Sequence, residues 1–256
     1  MTTEASFAGY LARWRGQEPE MEFAEPFVPR ALRERFQAWG TLLGEIEASL
    51  FEPSSVEVAI RRLGWWSSEL REAQPQHPIA RALRGAGIEG DGAAAVAAAA
   101  LSLAHIDDAP ADSTAALAAF APYAAAVDAL ERDAFASTAA ADGRAAIAAG
   151  TLARWAPRAG TFPLLRERMP LHLLARHAAL PAAASATASA IDLARELAPQ
   201  ATPVPALPLY RALRWDLDRA RIARLARGSV PDPGRPVPKP WQATWIAWNA
   251  ARRAAT

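Results

Sequence analysis

Apolar side chains recur every three or four residues over much of the chain, which is the spacing of one face of an α-helix. Two stretches show it most clearly, the first with Leu32, Phe36, Trp39, Leu43 and Ile46 and the second with Val56, Ile60, Leu63, Trp66 and Leu70. A capping-box pattern, Ser54 followed by Glu57, precedes the second stretch and marks a helix start. We therefore predict a long amphipathic helix over each stretch.

A third helical pattern begins at Asp112, which we predict to be its N-cap, and runs through Leu117, Phe120, Ala124, Val127, Leu130 and Phe135. Pro122 should kink or break this helix, because proline lacks the N–H that a helix interior needs. Further helices are predicted near 141–156, 170–177, 184–198, 206–227 and 240–254. Apolar runs with the period-two alternation of strands are absent, so the predicted fold class is all-α.

Proline-rich connections separate these helices, and the longest, SVPDPGRPVPKP, precedes the last one. No connection divides the apolar segments into two sets that could form separate cores, and no repeat period is present. A single-domain helical bundle is therefore predicted. We assign residues 1–26 to an N-terminal helix and linker and residues 27–256 to the main helical domain.

Charge and composition exclude several classes of function. The chain has 28 basic and 27 acidic residues, so it has no general attraction to nucleic acid or to anionic lipid. It has no cysteine, which excludes disulfides and thiolate sites. The start lacks a secretory signal pattern, and the most apolar run, GAAAVAAAALSLAHI, falls short of the roughly 20 residues of a membrane span. We expect a cytoplasmic protein with no transmembrane segment, and peripheral membrane contact stays open.

Patterns for metal and phosphate chemistry are also missing. His172 and His177 are five residues apart, roughly 140° around a helix, which is unsuited to a shared metal ion. Neither a Walker A pattern, nor G-x-G-x-x-G, nor a serine nucleophile elbow occurs. Asp108 and Asp112 have D-x-x-x-D spacing, but Pro110 between them favours a loop followed by a cap.

One helix combines acids and arginines on the same stretch. Asp216 and Asp218 lie among Arg211, Arg214, Arg219 and Arg221. Alternating charges of this kind are typical of a solvated face with salt bridges. We predict that this face is exposed.

The stretch RRLGWWSSELREAQPQHPIARAL, from Arg61 to Leu83, places two tryptophans before a His-Pro step. It resembles the squalene/phytoene synthase family, and within it the branch that includes a mitochondrial complex I assembly factor, through Arg62, Leu63, Trp65, Trp66, His77, Pro78, Ala80 and Leu83. Ser67 departs from the usual arginine. The stretches FVPRALRERFQAWGTLLGEI and RERMPLHLLARHAAL agree in the same order, although Leu165 replaces a glycine. The resemblance covers residues 27–180 best.

The resemblance implies a helical bundle of the isoprenoid-synthase type. Active members condense two prenyl diphosphates head to head, with Mg²⁺ held by acidic motifs on facing helices. The first motif falls on EASLFE, where Glu47 and Glu52 remain and Phe51 replaces an acid. The second falls on PRAGT, where Pro157 and Thr161 replace both acids. Because a diphosphate cannot leave without clustered cations, the resemblance implies a catalytically degenerate member with no metal site.

Three functions are left open at this stage. The first is a degenerate member, without a cofactor, that binds a prenyl or other lipid chain or serves as an assembly or interaction factor for a protein partner. The second is a prenyl transferase with a rearranged metal site, the one case that requires Mg²⁺. The third is a purely structural helical interaction protein. Candidate cavity residues are Trp65, Arg62, Phe51 and Arg166.

The last predicted helix carries an aromatic face. Trp241, Trp245 and Trp248 recur at positions i, i+4 and i+7 and so lie on one side of a helix. Such a face either packs into its own bundle or docks a partner. We predict that it closes the bundle.

Overall fold

The computed structural model describes residues 6–135, 141–230 and 238–254, and all regular structure within them is helical. The α-helices are α1 Phe7–Gln17, α2 Pro19–Ala24, α3 Arg33–Phe51, α4 Val56–Glu69, α5 Pro78–Gly85, α6 Gly90–Ala104, α7 Ser113–Ala119, α8 Ala121–Ala134, α9 Arg144–Trp155, α10 Pro163–Glu167, α11 Leu171–Arg176, α12 Ala182–Leu197, α13 Leu209–Ala226 and α14 Pro240–Ala254. Short 3₁₀ turns occupy Glu25–Phe27, Arg30–Leu32 and Ala156–Arg158. The predicted all-α class is confirmed.

Helices α3 and α4 bury the apolar stripes that their sequences predict. Phe36, Trp39 and Leu63 are completely buried, as expected for the centre of each stripe. The predicted start of α4 is wrong by one residue: Ser55, with extended backbone at φ −146° and ψ 156°, is the N-cap. A hydrogen bond from the Ser55 side chain lowers the pKa of Glu57.

The break predicted at Pro122 is present. Asp112 caps α7 by accepting a 2.8 Å hydrogen bond from the Ala115 N–H, and Phe120 separates α7 from α8. Pro122 lies in the first turn of α8, where its missing N–H leaves no helical bond unmade. Within the described ranges no single helix meets the length and apolarity required to cross a bilayer, and the α7–α8 pair, bent by 51°, meets the requirement by length and composition alone.

The N-terminal segment belongs to the same core as the rest of the chain. Trp14 on α1 packs against Gly40 and Gly44 on α3, and a Cβ at Gly40 would overlap its indole ring. The segment predicted as a linker forms α2, where Met21 is completely buried. Because glycine at these positions lets α1 approach α3 closely, one hydrophobic cluster spans from α1 to α14.

Helix α14 packs through alanine and not through tryptophan. Ala243, Ala247 and Ala250 are completely buried, and α14 contacts α13 and α2. Trp241 and Trp245 are 69% and 59% exposed. The prediction that the aromatic face closes the bundle is therefore wrong, because the alanine face allows a closer approach of the helix backbones. Residues 231–237 of the preceding proline-rich connection lie outside the described residues.

The two faces of α14 predict opposite responses to substitution. Ala247→Leu should lower the free energy of unfolding by about 1–3 kcal/mol, because added volume overpacks a buried helix contact. Trp241→Ala should change it by less than about 0.5 kcal/mol, as is usual for exposed positions. Urea denaturation of both variants measures the difference. A larger loss for Trp241→Ala would show that the aromatic face is the packed one.

Candidate functional site

A group of charged side chains lies in the interior of the bundle, where apolar side chains are usual. We call it the buried charge network, and it consists of Glu18, Glu20, Glu47, Asp218, Arg154, Arg214 and Arg221. All seven side chains are at most 14% exposed. Since buried charges are stable only when paired and hydrogen-bonded, the positions of these groups depend on one another.

Arg154 on α9 is the centre of the network. Its Nη2 lies 2.6 Å from Glu47 Oε1 and its Nη1 lies 2.8 Å from Asp218 Oδ2. Its Nε lies 3.5 Å from Oε1 of Glu18, at the junction of α1 and α2. One guanidinium group therefore connects α9 to α3, to α13 and to the N-terminal segment.

The approach of Asp218 to Arg154 depends on a glycine one turn earlier in α9. A Cβ at Gly150 would overlap the carboxylate of Asp218. Glycine is therefore needed at position 150 because the Asp218 carboxylate approaches the α9 backbone closely, and not because of the backbone conformation.

Glu47 is enclosed by hydrogen-bond donors. Its Oε1 accepts from Arg154, from Thr151 Oγ1 at 3.2 Å and from the Tyr123 hydroxyl at 3.4 Å. Its Oε2 accepts from Trp155 Nε1 at 2.6 Å. Burial, together with the charge of Glu47, raises the pKa of Tyr123 well above its usual value, so this hydroxyl is a donor.

The other half of the network is formed around Arg214. Its Nη1 lies 2.5 Å from Glu18 and its Nε lies 3.3 Å from Asp218, while Arg221 lies 2.6 Å from Glu20. Burial raises the pKa of Glu18 more than Arg214 and Arg154 lower it. For Asp218 burial acts in the same direction, but Arg214 and Arg154 outweigh it and the net pKa is lowered.

A second buried pair lies beside the network. Arg211 binds Glu131 through two hydrogen bonds of 2.8 and 2.6 Å, and Trp39 Nε1 donates to the same carboxylate at 2.9 Å. This bidentate geometry is the strongest form of the guanidinium–carboxylate interaction.

The predicted solvated face of α13 is therefore wrong. Asp218, Arg211 and Arg214 are at most 1% exposed, because Arg211 pairs with Glu131 on α8, Arg214 with Glu18 at the α1–α2 junction and Asp218 with Arg154 on α9. Asp216 and Arg219 form a 3.0 Å pair, and their side chains are only 11% and 28% exposed. Sequence reasoning missed Arg154, Asp218 and Arg214. The available signal was the position of Glu47 between Leu43 and Leu50, on an apolar stripe.

The structure separates the residues predicted to line a cavity. Phe51 is completely buried, with its ring centroid 5.0 Å from that of Trp155. Arg62, Trp65 and Arg166 are exposed. These four side chains therefore do not line one buried cavity.

The remnant acids do not form a metal clamp. Both carboxylate oxygens of Glu47 already accept hydrogen bonds, and Arg154 lies where a cation would have to bind. Glu52 caps the end of α3 and is partly exposed. Among residues 6–135, 141–230 and 238–254, no group of three His, Asp or Glu side chains is placed to hold a metal ion. The residues present do not fit Mg²⁺.

The space beside the network is small. A cavity of about 20 Å³ is lined by Gln17, Glu18, Gly44, Arg154, Trp155, Arg158 and Arg221. This volume accommodates about one water molecule. It is too small for a prenyl chain.

A larger concave surface lies outside the bundle. A groove of about 640 Å³ runs between the end of α12, α13 and α14. Its walls include Ala198, Pro203, Ala220, Trp245 and Ile246, with Asp216, Arg219 and Arg253 among its polar groups. This volume lies within the range of roughly 300–1,000 Å³ typical of small-ligand sites.

Two histidine–carboxylate pairs connect α11 to α12. His172 Nε2 lies 3.0 Å from Glu196 Oε1, and His177 Nε2 lies 2.9 Å from Asp192 Oδ2. Burial raises the pKa of Asp192, but hydrogen bonds from His177, Arg176 and Arg195 outweigh it, and the net pKa is lowered. The two histidines thus have separate carboxylate partners and do not converge on one site.

Comparison of the chain with protein-family models, with curated proteins and with solved structures finds no significant match.

Removal of Arg154 should destabilise the protein strongly. Arg154→Met leaves Glu47 and Asp218 buried without their partner, and we expect a loss of about 3–5 kcal/mol in the free energy of unfolding. The matched control is Arg144→Met, which removes an exposed pair with Asp142 and should have little effect. Urea denaturation of both variants checks the prediction. Equal losses would show that the network does not determine stability.

Acid should weaken the contact between α11 and α12. The pKa of Asp192 in the folded protein is lowered, so its contribution to stability is present above the unfolded pKa of about 3.9 and is lost as pH falls. Below about pH 4 the Asp192→Asn variant should lose less stability than the wild type does. The control Asp108→Asn, in an exposed loop, should lose as much stability as the wild type. Thermal unfolding from pH 7 to pH 3 measures this. Identical pH profiles for wild type and Asp192→Asn would contradict it.

Proposed function

We propose that this chain is a catalytically degenerate helical protein of the squalene/phytoene synthase type that serves as an assembly or interaction factor. The observation that carries the proposal is the 2.6 Å contact between Arg154 Nη2 and Glu47 Oε1. Glu47 is the acid that the resemblance assigns to the first metal-binding motif. A guanidinium group fixed beside it supplies the positive charge that metal ions would otherwise supply.

The position of this cation argues against catalysis. A diphosphate leaving group needs mobile, clustered cations that can bind its oxygens directly. Arg154 is instead held by Glu47, Asp218 and Glu18, and its exchange for Mg²⁺ would leave a buried charge unpaired. The alternative, a Mg²⁺-dependent prenyl transferase, would require the network to open.

The surface groove supports a binding role better than the interior does. The cavity beside Arg154 holds about 20 Å³, whereas the groove beside α14 holds about 640 Å³ and is lined largely by apolar side chains. We therefore assign contacts with lipid chains or protein partners to the outside of the bundle. A purely structural role stays an alternative, and the cytoplasmic location stays a prediction.

The proposal predicts that the purified protein releases no diphosphate from farnesyl diphosphate or geranylgeranyl diphosphate in the presence of Mg²⁺. Phosphate release after coupled hydrolysis of the diphosphate measures the turnover. An active prenyl synthase serves as the positive control. Mg²⁺-dependent release above the protein-free blank that is lost in Glu47→Gln, with the fold of that variant verified by circular dichroism, would overturn the proposal.

A further inference from the structure

The outer face of α14 presents a continuous aromatic and cationic surface. Trp241, Trp245, Trp248 and Arg252 lie at i, i+4, i+7 and i+11, which places them within roughly 60° of one another around the helix. We call this set the Trp–Arg stripe. Trp241 and Trp245 are two of the exposed large hydrophobic residues of the molecule. The stripe therefore exposes apolar area that a folded protein usually buries or covers.

The stripe is held in place by the packing behind it. Ala243, Ala247 and Ala250 are completely buried on the opposite face, so the helix cannot turn its tryptophans inward without exposing them. Within the stripe, the ring centroids of Trp245 and Trp248 lie 4.9 Å apart. The guanidinium carbon of Arg252 lies 4.8 Å from the centroid of the Trp248 ring. The surface is thus formed before any partner binds.

Charge selects the kind of partner. The segment from Lys239 to Ala254 contains three basic residues, Lys239, Arg252 and Arg253, and no acidic residue. Arg253 pairs with Asp216 on α13, whereas Lys239 and Arg252 are exposed. The exposed charge on the stripe is therefore positive and complements an anionic partner.

Tryptophan beside arginine is suited to the surface of a lipid bilayer. The indole ring has an apolar body and a polar N–H, and it concentrates at the headgroup level of bilayers. Arg252, on the same helix face as the tryptophans, is placed to pair with anionic headgroups. The groove that opens beside Trp245 offers apolar walls to an acyl chain from the same surface.

We propose that the Trp–Arg stripe of α14 docks the protein on the surface of an anionic phospholipid bilayer. The indoles of Trp241 and Trp245 enter the headgroup region, and Arg252 pairs with lipid phosphates. This inference rests on the interaction role proposed above, and it names a lipid bilayer as the partner. The absence of catalysis is tested by diphosphate release and the docking by lipid binding, so each can fail without the other.

The test is flotation of the full-length protein with vesicles of phosphatidylcholine containing 30% phosphatidylserine, compared with pure phosphatidylcholine, at about 0.1 M salt. We expect at least tenfold tighter binding to the anionic vesicles. The double variant Trp241→Ser/Trp245→Ser should bind at least tenfold more weakly, and Arg252→Gln should bind less tightly than wild type. Brominated lipids should quench the tryptophan fluorescence of the wild type and quench that of the double variant less.

The matched control is Trp65→Ser, which removes a tryptophan that is 48% exposed on α4, away from the stripe. This variant should bind like the wild type. Thermal unfolding shows whether each variant is folded. Unchanged binding by the double variant, equal binding to both vesicle types, or no binding at all would overturn the proposal. A concentration-dependent dimer that the double variant abolishes would overturn it in favour of a second copy as the partner.

Discussion

The ion pairs of Arg154 with Glu47 and Asp218 are the interaction on which the rest of the structure depends. Arg154 on α9 lies 2.6 Å from Glu47 on α3 and 2.8 Å from Asp218 on α13. It also lies 3.5 Å from Glu18, which connects the N-terminal segment to the same group. A charge buried at this depth is tolerated only while its partners stay in place. The helices that carry these groups must therefore form and pack together, which makes α1 and α2 part of the fold and not an appendage.

The same interaction limits the chemistry available to the interior. In a metal-dependent synthase the cations arrive with the substrate and leave with the product, whereas a guanidinium attached to α9 is present permanently. Its Nη1 and Nη2 groups already donate to Asp218 and Glu47, and the adjoining cavity holds about 20 Å³. A bundle with this centre holds its interior charged groups in fixed positions.

Periodicity was sufficient to predict α3 and α4, because burial of Phe36, Trp39 and Leu63 follows directly from their spacing. It was insufficient for the charged positions of α13, because a run of acids and arginines has the same pattern whether it faces water or a matching set of charges. For α14 the spacing showed both a tryptophan face and an alanine face. Which one packs depends on how closely the neighbouring helices approach, and that distance is a tertiary property.

The alanine-rich composition explains why specific charges are needed in the interior. Faces formed by Ala243, Ala247 and Ala250 are small and nearly smooth, so sliding one helix along its neighbour changes the buried apolar area little. A slip of α9 by one turn, in contrast, would separate Arg154 from Glu47 and leave a buried charge unpaired, at a cost of about 3–5 kcal/mol. The network therefore penalises such a slip, whereas alanine faces alone would not. With the register fixed, the absence of a side chain at Gly150 and Gly40 leaves room for Asp218 and Trp14.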